Sequence, residues 1–322
     1  MRLGILGTAD IAFRRFLPAL QKCPDILYAG VASRTPEKGR RFAEMFGGKV
    51  YDGYDALLAD ESIDAVYVPL PPALHYEWGR KVLLAGKHLM MEKPFTTSVT
   101  ETAELLKIAE EKVLAVHENY MFLHHSQLAR IKQLIADGTL GDIRLYRMAF
   151  GFPKRSEGDF RYNRALGGGA LLDCGGYPVR LALELLGDTA KVVQASLSQP
   201  ESYEVDLFGS AVLKNEAGLC AQISFGMDNA YQCHLEVWGS KATLIAPRVF
   251  TAGAGFEPSL VLRSSTGEEV LKLPEDDQFF HSIECFKSYT VDVDVRKKIS
   301  QKICAQSNLV TTIAEGMNKI CR

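Results

Sequence analysis

The sequence has little of what marks secreted, metal-caged, membrane-spanning or nucleic-acid-binding proteins. Its seven cysteines include no CxxC pair, which argues against a disulfide framework or a zinc cage and favours a reduced, cytoplasmic protein. No apolar run approaches the roughly 20 residues that cross a bilayer, and the first residues read as a strand rather than a signal peptide. The net charge is −2, from 37 basic and 39 acidic residues, and supplies no field that would gather nucleic acid or a membrane surface. We therefore expect a small-molecule partner.

The sequence is long, and its first third alternates predicted strands with predicted helices. A chain of 322 residues is too long for one ordinary core, and the pattern changes near residue 120, so we expect two domains, 1–120 and 121–322. The first alternates predicted strands (2–7, 27–33, 64–70, 87–94 and 113–119) with predicted helices (10–22, 36–47, 73–86 and 98–112). This alternation predicts an α/β, Rossmann-like, doubly wound parallel sheet.

The second domain is predicted to be α+β. A helix over 125–138, a strand over 143–152 and a helix over 169–187 precede short segments of alternating polarity between 190 and 273. Alternating polarity indicates a mostly antiparallel sheet with one buried face and one open face. The tail from residue 276 reads as helical, and its helices are expected to pack back on the first domain.

The first predicted strand runs into Gly7, Thr8, Ala9, Asp10, Ile11 and Ala12. Gly7 can form the tight turn that points backbone N–H groups at a pyrophosphate at a helix N-terminus. The dinucleotide fingerprint has a second glycine where Ala9 stands, and a methyl group there still permits approach. The pattern favours a dinucleotide site over a tight turn without a ligand.

The second predicted strand ends in Ser33 and Arg34, with Lys38 one turn later. NAD-selective folds usually present a carboxylate here, which accepts from the ribose 2′-hydroxyl. A guanidinium instead binds a 2′-phosphate in a bidentate manner. We therefore predict NADP(H) rather than NAD(H); the alternative is a solvated basic helix start.

Lys93 stands just after the apolar run 89–91, between Glu92 and Pro94. Pro94 restricts Lys93 to extended conformations, and the carboxyl end of a parallel strand faces the ligand crevice. An ammonium group at that place can protonate a developing alkoxide. The alternative is a surface lysine paired with Glu92.

Asp173 and Tyr177 are four positions apart in the segment 167–180, so on a helix they share a face. A tyrosine near Lys93 would supply a phenolic proton donor beside a cation. The glycines of this segment let backbone approach a flat ring; the alternative is a glycine-rich helix that only packs on the sheet.

Two further segments contain clusters of side chains that could bind a ligand: histidines in one and cations in the other. His117, His124 and His125 lack the i, i+4 spacing of a zinc helix, so we predict no metal. The loop 153–164 contains four cations, which suggest a phosphate-bearing ligand or an ordinary exposed loop: Lys154, Arg155, Arg161 and Arg164.

Taken together, the segments 7–20, 31–34, 92–94, 117–127 and 158–178 resemble the Gfo/Idh/MocA oxidoreductases. More narrowly, they resemble the NADPH-dependent 3-ketoreductases of nucleotide-linked deoxysugars. The resemblance covers most of the first two thirds of the chain. It implies a Rossmann domain plus an open-faced sheet that joins homodimers or homotetramers.

The resemblance also implies roles for individual residues. Lys93 and Tyr177 would handle the proton, with Tyr177 standing where many relatives carry histidine. Cofactor-binding residues would be Gly7, Thr8, Ala9, Asp10, Ile11, Ala12, Arg14, Ser33, Arg34, Lys38, Tyr54, Leu70, His75, Glu92, Arg161 and Asp173. Substrate-binding residues would be Tyr120, Arg155, Arg164, Tyr231 and Thr251.

Three functions follow as hypotheses. The first is reduction of a sugar ketone with NADPH, at C3 of a dTDP-linked 4-keto-6-deoxyhexose. The second keeps the family but changes the substrate to a free sugar, an inositol or a trans-dihydrodiol. The third is an NADP-binding regulator without turnover.

Overall fold

The computed structural model describes residues 1–316, which divide into two compact units. Unit 1 comprises Met1–Asn119 and Phe279–Ser307, and unit 2 comprises Tyr120–Gln278 with residues 308–316. Unit 1 therefore includes part of the chain's helical tail as well as its N-terminal segment.

Unit 1 is built on a parallel sheet in which the six strands have the spatial order β3-β2-β1-β4-β5-β6. The strands are β1 Arg2–Leu6, β2 Leu27–Ser33, β3 Lys49–Asp52, β4 Ala65–Val68, β5 His88–Met91 and β6 Val116–Glu118. The helices are α1 Leu17–Leu20, α2 Pro36–Phe46, α3 Tyr54–Leu58, α4 His75–Leu84 and α5 Val99–Glu111. The strand order reverses between β1 and β4, the kind of place where such sheets bind ligands outside the carboxyl ends of their strands. The predicted doubly wound sheet is confirmed.

Local sequence explains these elements. Every residue of β4 is buried, as expected for a strand covered by helices on both faces. Pro36 opens α2, and Gly47, with a φ of +74°, follows its last residue. The strand β3 and the helix α3 were not predicted, because β3 has four residues and only Tyr51 among them is buried, so no apolar run marks it.

Unit 2 contains an eight-stranded sheet of order β14-β13-β12-β11-β7-β10-β9-β8. Its helices are α6 Ser126–Ala136 and α7 Gly176–Leu186; its strands are β7 Ile143–Gly151, β8 Lys191–Ser198, β9 Phe208–Lys214, β10 Cys220–Gly226, β11 Gln232–Gly239, β12 Ala242–Ala246, β13 Ser259–Ser264 and β14 Gly267–Lys272. Neighbouring strands are antiparallel except β7 and β10. The predicted mostly antiparallel sheet is confirmed.

Two helices follow the second sheet, α8 Gln278–Tyr289 and α9 Val293–Glu315. The predicted helical tail is thus present. Two other predicted helices begin differently, because residues 12–16 and 171–175 form π-helical turns before the α-helical part. None of the helices within residues 1–316 is both long and apolar enough to cross a membrane.

Candidate active site

The chain turns sharply at Gly7, directly after β1. Gly7 has a φ of +94°, and a Cβ atom there would lie 2.7 Å from the Leu70 side chain, so glycine is required. The Gly7 N–H donates to the carbonyl oxygen of Ala32 at 2.9 Å, which ties the turn to β2. The helical segment that follows begins at Ala12. The predicted phosphate-binding segment thus lies at the carboxyl end of β1.

Arg14 is held by an acidic neighbour. Its Nε lies 2.9 Å from the Asp10 carboxylate, which also lies 3.9 Å from the Arg41 guanidinium. Arg41 in turn stacks over the Phe13 ring, with its Cζ 4.0 Å from the ring centroid. All three charged side chains are more than half exposed, so these pairs orient cations at the surface and contribute little stability.

Three predicted cofactor residues meet at the end of β2. The exposed Arg34 side chain lies near the Tyr54 hydroxyl, and that oxygen lies 3.6 Å from the place where a Cβ of Gly7 would stand. Burial raises the pKa of Tyr54, and Arg34 opposes the rise. Ser33 is buried, and its hydroxyl accepts from the N–H of Thr35 at 3.2 Å. A guanidinium is therefore held beside the Gly7 turn. Lys38 is exposed on α2.

Lys93 follows β5, and its backbone is fixed by the residue before it. The buried Glu92 carboxyl accepts from the Tyr67 hydroxyl at 2.6 Å, from Asn119 Nδ2 at 2.7 Å and from the N–H of Lys93. Burial raises the pKa of Glu92, and these three donors and the Lys93 charge oppose the rise. The Lys93–Pro94 peptide bond is cis. Glu92, predicted as a cofactor residue, thus binds the peptide of Lys93.

His75 contacts the backbone carbonyl oxygens of two nearby loops. Its ring nitrogens lie 2.7 Å from the Pro94 carbonyl oxygen and 2.8 Å from the Leu70 carbonyl oxygen. Two acceptors favour a doubly protonated ring, whereas complete burial and the nearby Lys93 charge oppose it. Burial is the largest effect and lowers the pKa of His75 to about 4, so the ring is neutral near pH 7.

Tyr177 lies in unit 2, on α7, within an aromatic cluster. Its ring centroid is 4.9 Å from that of Phe150, 5.3 Å from Tyr120 and 5.8 Å from Phe122. Its hydroxyl donates to the Met121 sulfur at 3.9 Å, and the side chain is buried. The predicted residues Tyr120 and Tyr177 are therefore in contact.

Asp173, one turn before Tyr177, forms an internal ion pair. Arg161 donates through Nε to Asp173 at 2.7 Å and through an NH group to Asp159 at 3.1 Å. The two predicted cofactor residues Arg161 and Asp173 thus bind each other.

Asp206 accepts from the N–H of Leu171 at 2.7 Å, at the start of the helical segment that carries Asp173, and burial raises the pKa of Asp206 to about 6.

The cations of the basic loop divide into two kinds. Arg161 is paired as described, and Arg164 donates through Nε to the Glu204 carbonyl oxygen at 2.7 Å. Lys154 lies over the Tyr203 ring, 5.2 Å from its centroid, and Arg155 lies over Phe152 at 5.0 Å. Lys154 and Arg155 are exposed. They are the better candidates for a phosphate, because protein acceptors already hold the other two guanidinium groups.

The remaining predicted substrate residues, Tyr231 and Thr251, form a hydroxyl pair at 2.6 Å, with the Cys233 sulfur 3.4 Å from Thr251. Tyr231 is 47% exposed.

The histidines are separated: His117 binds the Ser282 hydroxyl at 2.8 Å, and His125 accepts from the N–H of Gln127 at 3.1 Å. Across residues 1–316 there is no group of three potential ligands that could hold a metal ion.

Sequence reasoning missed four side chains around Lys93. Tyr67, Asn119 and Glu118 were read as parts of core strands, and Ser282 as part of a featureless tail. Glu118 accepts from the N–H of Phe95 at 2.8 Å, and Ser282 donates to Asn119 Oδ1 at 2.8 Å. A buried acidic residue at the end of an apolar run was the available signal for Glu118; Ser282 offered none.

Comparisons with known proteins agree with the fold. Residues 1–120 match the oxidoreductase family with an NAD-binding Rossmann fold, and residues 128–245 match the GFO/IDH/MocA C-terminal domain. The dTDP-3,4-didehydro-2,6-dideoxy-alpha-D-glucose 3-reductase of Actinomadura kijaniata is 39% identical over 320 residues, 99% of this chain and 96% of the relative. The reductase of the same name from Streptomyces violaceoruber is 44% identical over 287 residues, 89% of this chain and 84% of the relative.

A solved 3-ketoreductase from Actinomadura kijaniata, in complex with NADP and TDP-benzene, superposes with a TM-score of 0.96. It is 39% identical, and the match covers 100% of this chain and 99% of that one. The same ketoreductase has been solved with a tyrosine replaced by phenylalanine and with a lysine replaced by alanine.

His75 should make the stability of the protein depend on acid. The unfolded chain protonates this histidine near pH 6.5, whereas the folded protein resists protonation down to about pH 4. The free energy of unfolding should therefore fall, by about 3 kcal/mol from this group, as the pH is lowered from 6.5 to 4. Urea unfolding of the native protein and of His75→Gln across this range measures the difference. Parallel stability curves for the two proteins would contradict the prediction.

Proposed function

The chain belongs to the GFO/IDH/MocA family of oxidoreductases, and on that premise we propose that it reduces the C3 ketone of a dTDP-linked 4-keto-6-deoxyhexose with NADPH. The observation that carries the proposal is the 39% identity, over nearly the full length of both chains, to a reductase named for that chemistry. The bound NADP and TDP-benzene of the solved relative support both the cofactor and the nucleotide.

The residues of unit 1 fit NADP. Gly7 at the end of β1 has a φ of +94°, a conformation that favours glycine, as expected for the tight turn that lets a backbone approach a pyrophosphate. Ser33, Arg34 and Lys38 stand where an NAD-selective sheet carries a carboxylate, and the Tyr54 hydroxyl lies near the Arg34 guanidinium. We propose that the segment from Thr8 to Arg14 holds the pyrophosphate, and that the basic group holds the 2′-phosphate.

Bound NADPH would supply the hydride that reaches the carbonyl carbon. We propose that Lys93 gives a proton from Nζ to the carbonyl oxygen, and that the Tyr177 hydroxyl binds the same oxygen. Glu92 supports this role by fixing the Lys93 peptide. The replaced lysine and tyrosine of the solved relative support it too, because they have the same separation in sequence as Lys93 and Tyr177.

We further propose that the chain forms a homodimer or homotetramer through the less buried face of the second sheet. Along β11, Leu235 and Val237 point to the buried face, whereas Trp238 on the opposite face is 39% exposed. In register, Trp238 lies beside Leu145 of β7 and Thr243 of β12, so an aromatic and an aliphatic side chain adjoin on that face.

The native protein should oxidise NADPH in the presence of dTDP-3,4-didehydro-2,6-dideoxyglucose, and Lys93→Ala should lower kcat by about 10²–10⁴-fold because the proton donor is lost. NADPH binding, followed by fluorescence, should persist in the variant. Lys107→Ala, on the exposed surface of α5, is the matched control and should keep native kcat.

A native kcat for Lys93→Ala would refute the assigned role. Preferred turnover of a free sugar, an inositol or a trans-dihydrodiol by the native protein would favour the second hypothesis. Tight NADPH binding without oxidation of any of these compounds would favour a regulator.

Arg34→Asp should weaken NADPH binding roughly 10- to 100-fold, the size of a lost charge-assisted hydrogen bond, and should weaken NADH binding much less. Dissociation constants from fluorescence titration measure both cofactors. Arg40→Asp is the matched control, since Arg40 lies on the exposed side of α2, near Glu37. Equal losses for the two cofactors would remove the 2′-phosphate contact from the proposal.

Light scattering should give a mass of two or four chains for the native protein. Trp238→Arg should lower that mass, because a charge would have to be buried in the interface. His281→Arg adds the same charge on α8 and should leave the mass unchanged. A native protein with the mass of one chain would end this proposal.

A further inference from the structure

Behind Lys93, polar side chains of unit 1 form one continuous hydrogen-bonded chain. His117 Nε2 lies 2.8 Å from the Ser282 hydroxyl, and Ser282 Oγ lies 2.8 Å from Asn119 Oδ1. Asn119 Nδ2 lies 2.7 Å from Glu92 Oε1. His117, Asn119 and Ser282 are 3%, 0% and 0% exposed, so bulk water cannot replace a bond lost from this chain.

The donors in this chain all point toward Glu92. Because the Asn119 amide nitrogen donates to the carboxylate, its oxygen faces Ser282 and must accept. The single hydroxyl proton of Ser282 is therefore committed to Asn119, and Ser282 must accept from His117 Nε2–H. The series of hydrogen bonds thus ends on the Glu92 carboxylate. Aligned hydrogen bonds of this kind polarise one another in a buried setting.

The carboxylate that ends the chain holds the peptide of Lys93. Glu92 accepts from the N–H of Lys93 and, through Oε1, from the Tyr67 hydroxyl. If Asn119 rotated away, Glu92 would lose a buried donor and could tilt toward the remaining ones. Asn119, which does not contact Lys93 itself, would thereby move the Lys93 peptide through Glu92.

Ser282 comes from α8, in the helical tail to which the sequence assigned no role. The helix packs so that a buried hydroxyl reaches Asn119, 163 positions away in the chain. A serine that only filled space could be replaced by alanine without effect on chemistry. Here its replacement would leave a donor on His117 and an acceptor on Asn119 unsatisfied.

We propose that Asn119 and Ser282 are positioning residues for proton transfer, which act through the Glu92 carboxylate on Lys93. This inference rests on the proposed role of Lys93 as proton donor. It assigns to α8 a part in the reaction, because Ser282 of α8 orients the Asn119 amide, and the Asn119 amide orients the Glu92 carboxylate.

The same bonds should govern the ionisation of Glu92. Burial raises the pKa of Glu92, and hydrogen bonds from Tyr67 and Asn119, together with Lys93, oppose the rise. Tyr67 from β4 and Lys93 are the titratable groups that face this carboxyl, and His117 reaches it only through Ser282 and Asn119. Loss of the Ser282 hydroxyl should weaken the Asn119 donor and raise the pKa of Glu92 further.

The test compares Ser282→Ala and Asn119→Ala with Ser288→Ala. Ser288 lies on the same helix but is exposed and donates to the Cys285 carbonyl oxygen, so it is the matched control. We expect kcat to fall on the order of 10-fold for Ser282→Ala, the size of one lost hydrogen bond, and more for Asn119→Ala. KM and the NADPH dissociation constant should stay native, as should all constants of Ser288→Ala. Native kcat in both buried variants, or an equal loss in Ser288→Ala, would overturn the proposal.

A second measurement needs no substrate. In protein labelled with carbon-13 glutamate, the Glu92 carboxyl signal is assigned by its disappearance in Glu92→Gln, and its titration is followed in native protein and Ser282→Ala. A midpoint at higher pH in Ser282→Ala supports the proposal, and an unchanged midpoint refutes it. If the native protein reduces no ketosugar, the proposed function fails while this titration still decides whether Ser282 acts on Glu92.

Discussion

The hydrogen bonds that the Glu92 carboxyl accepts, from Tyr67, from Asn119 and from the Lys93 N–H, are the contacts on which the proposed role of Lys93 depends. A lysine side chain has four rotatable carbons and cannot position its own nitrogen unless its backbone is held. The peptide group that follows Pro94 is also held: its N–H, from Phe95, donates to Glu118, and its carbonyl oxygen, from Pro94, lies 2.7 Å from His75 Nδ1. The strand therefore ends in a segment whose course is set by side chains from elsewhere in the unit.

Burying the Glu92 carboxylate costs several kcal/mol unless donors replace the water it loses. Tyr67, Asn119 and the Lys93 peptide supply those donors, and the Lys93 charge adds to them. The side chains of Tyr67 and Asn119 are themselves buried, so solvent does not readily replace either donor when it is removed. The arrangement consequently depends on every member, down to Ser282, and a group far along the chain can influence a carboxylate that it does not touch.

The parallel sheet could be predicted from sequence, and Lys93 could be selected as a candidate proton donor, because both inferences rest on local signals. Alternating strands and helices define a parallel sheet, and Gly7 and Lys93 stand at the ends of apolar runs. Pairings across long stretches of chain could not be predicted. Four cations in one loop suggested a phosphate, yet Arg161 is bound to a carboxylate 12 positions away and Arg164 to a carbonyl 40 positions away. Ser282 gave no signal for the same reason, since its partner lies 163 positions away.

In each unit a carboxyl group holds the segment that carries a proposed catalytic residue, although the two folds differ. In unit 1 a buried carboxylate, Glu92, accepts from the peptide that carries Lys93; in unit 2 another, Asp206, accepts from Leu171 at the start of the helical segment that carries Tyr177. A carboxylate accepts stronger hydrogen bonds than a neutral oxygen does, so it fixes a peptide more tightly. In both cases burial raises the pKa of the carboxyl, which is the cost of placing the anchor out of water. A fold that accepts this cost twice gives up stability at those positions in exchange for fixed backbone under the side chains that would meet the substrate.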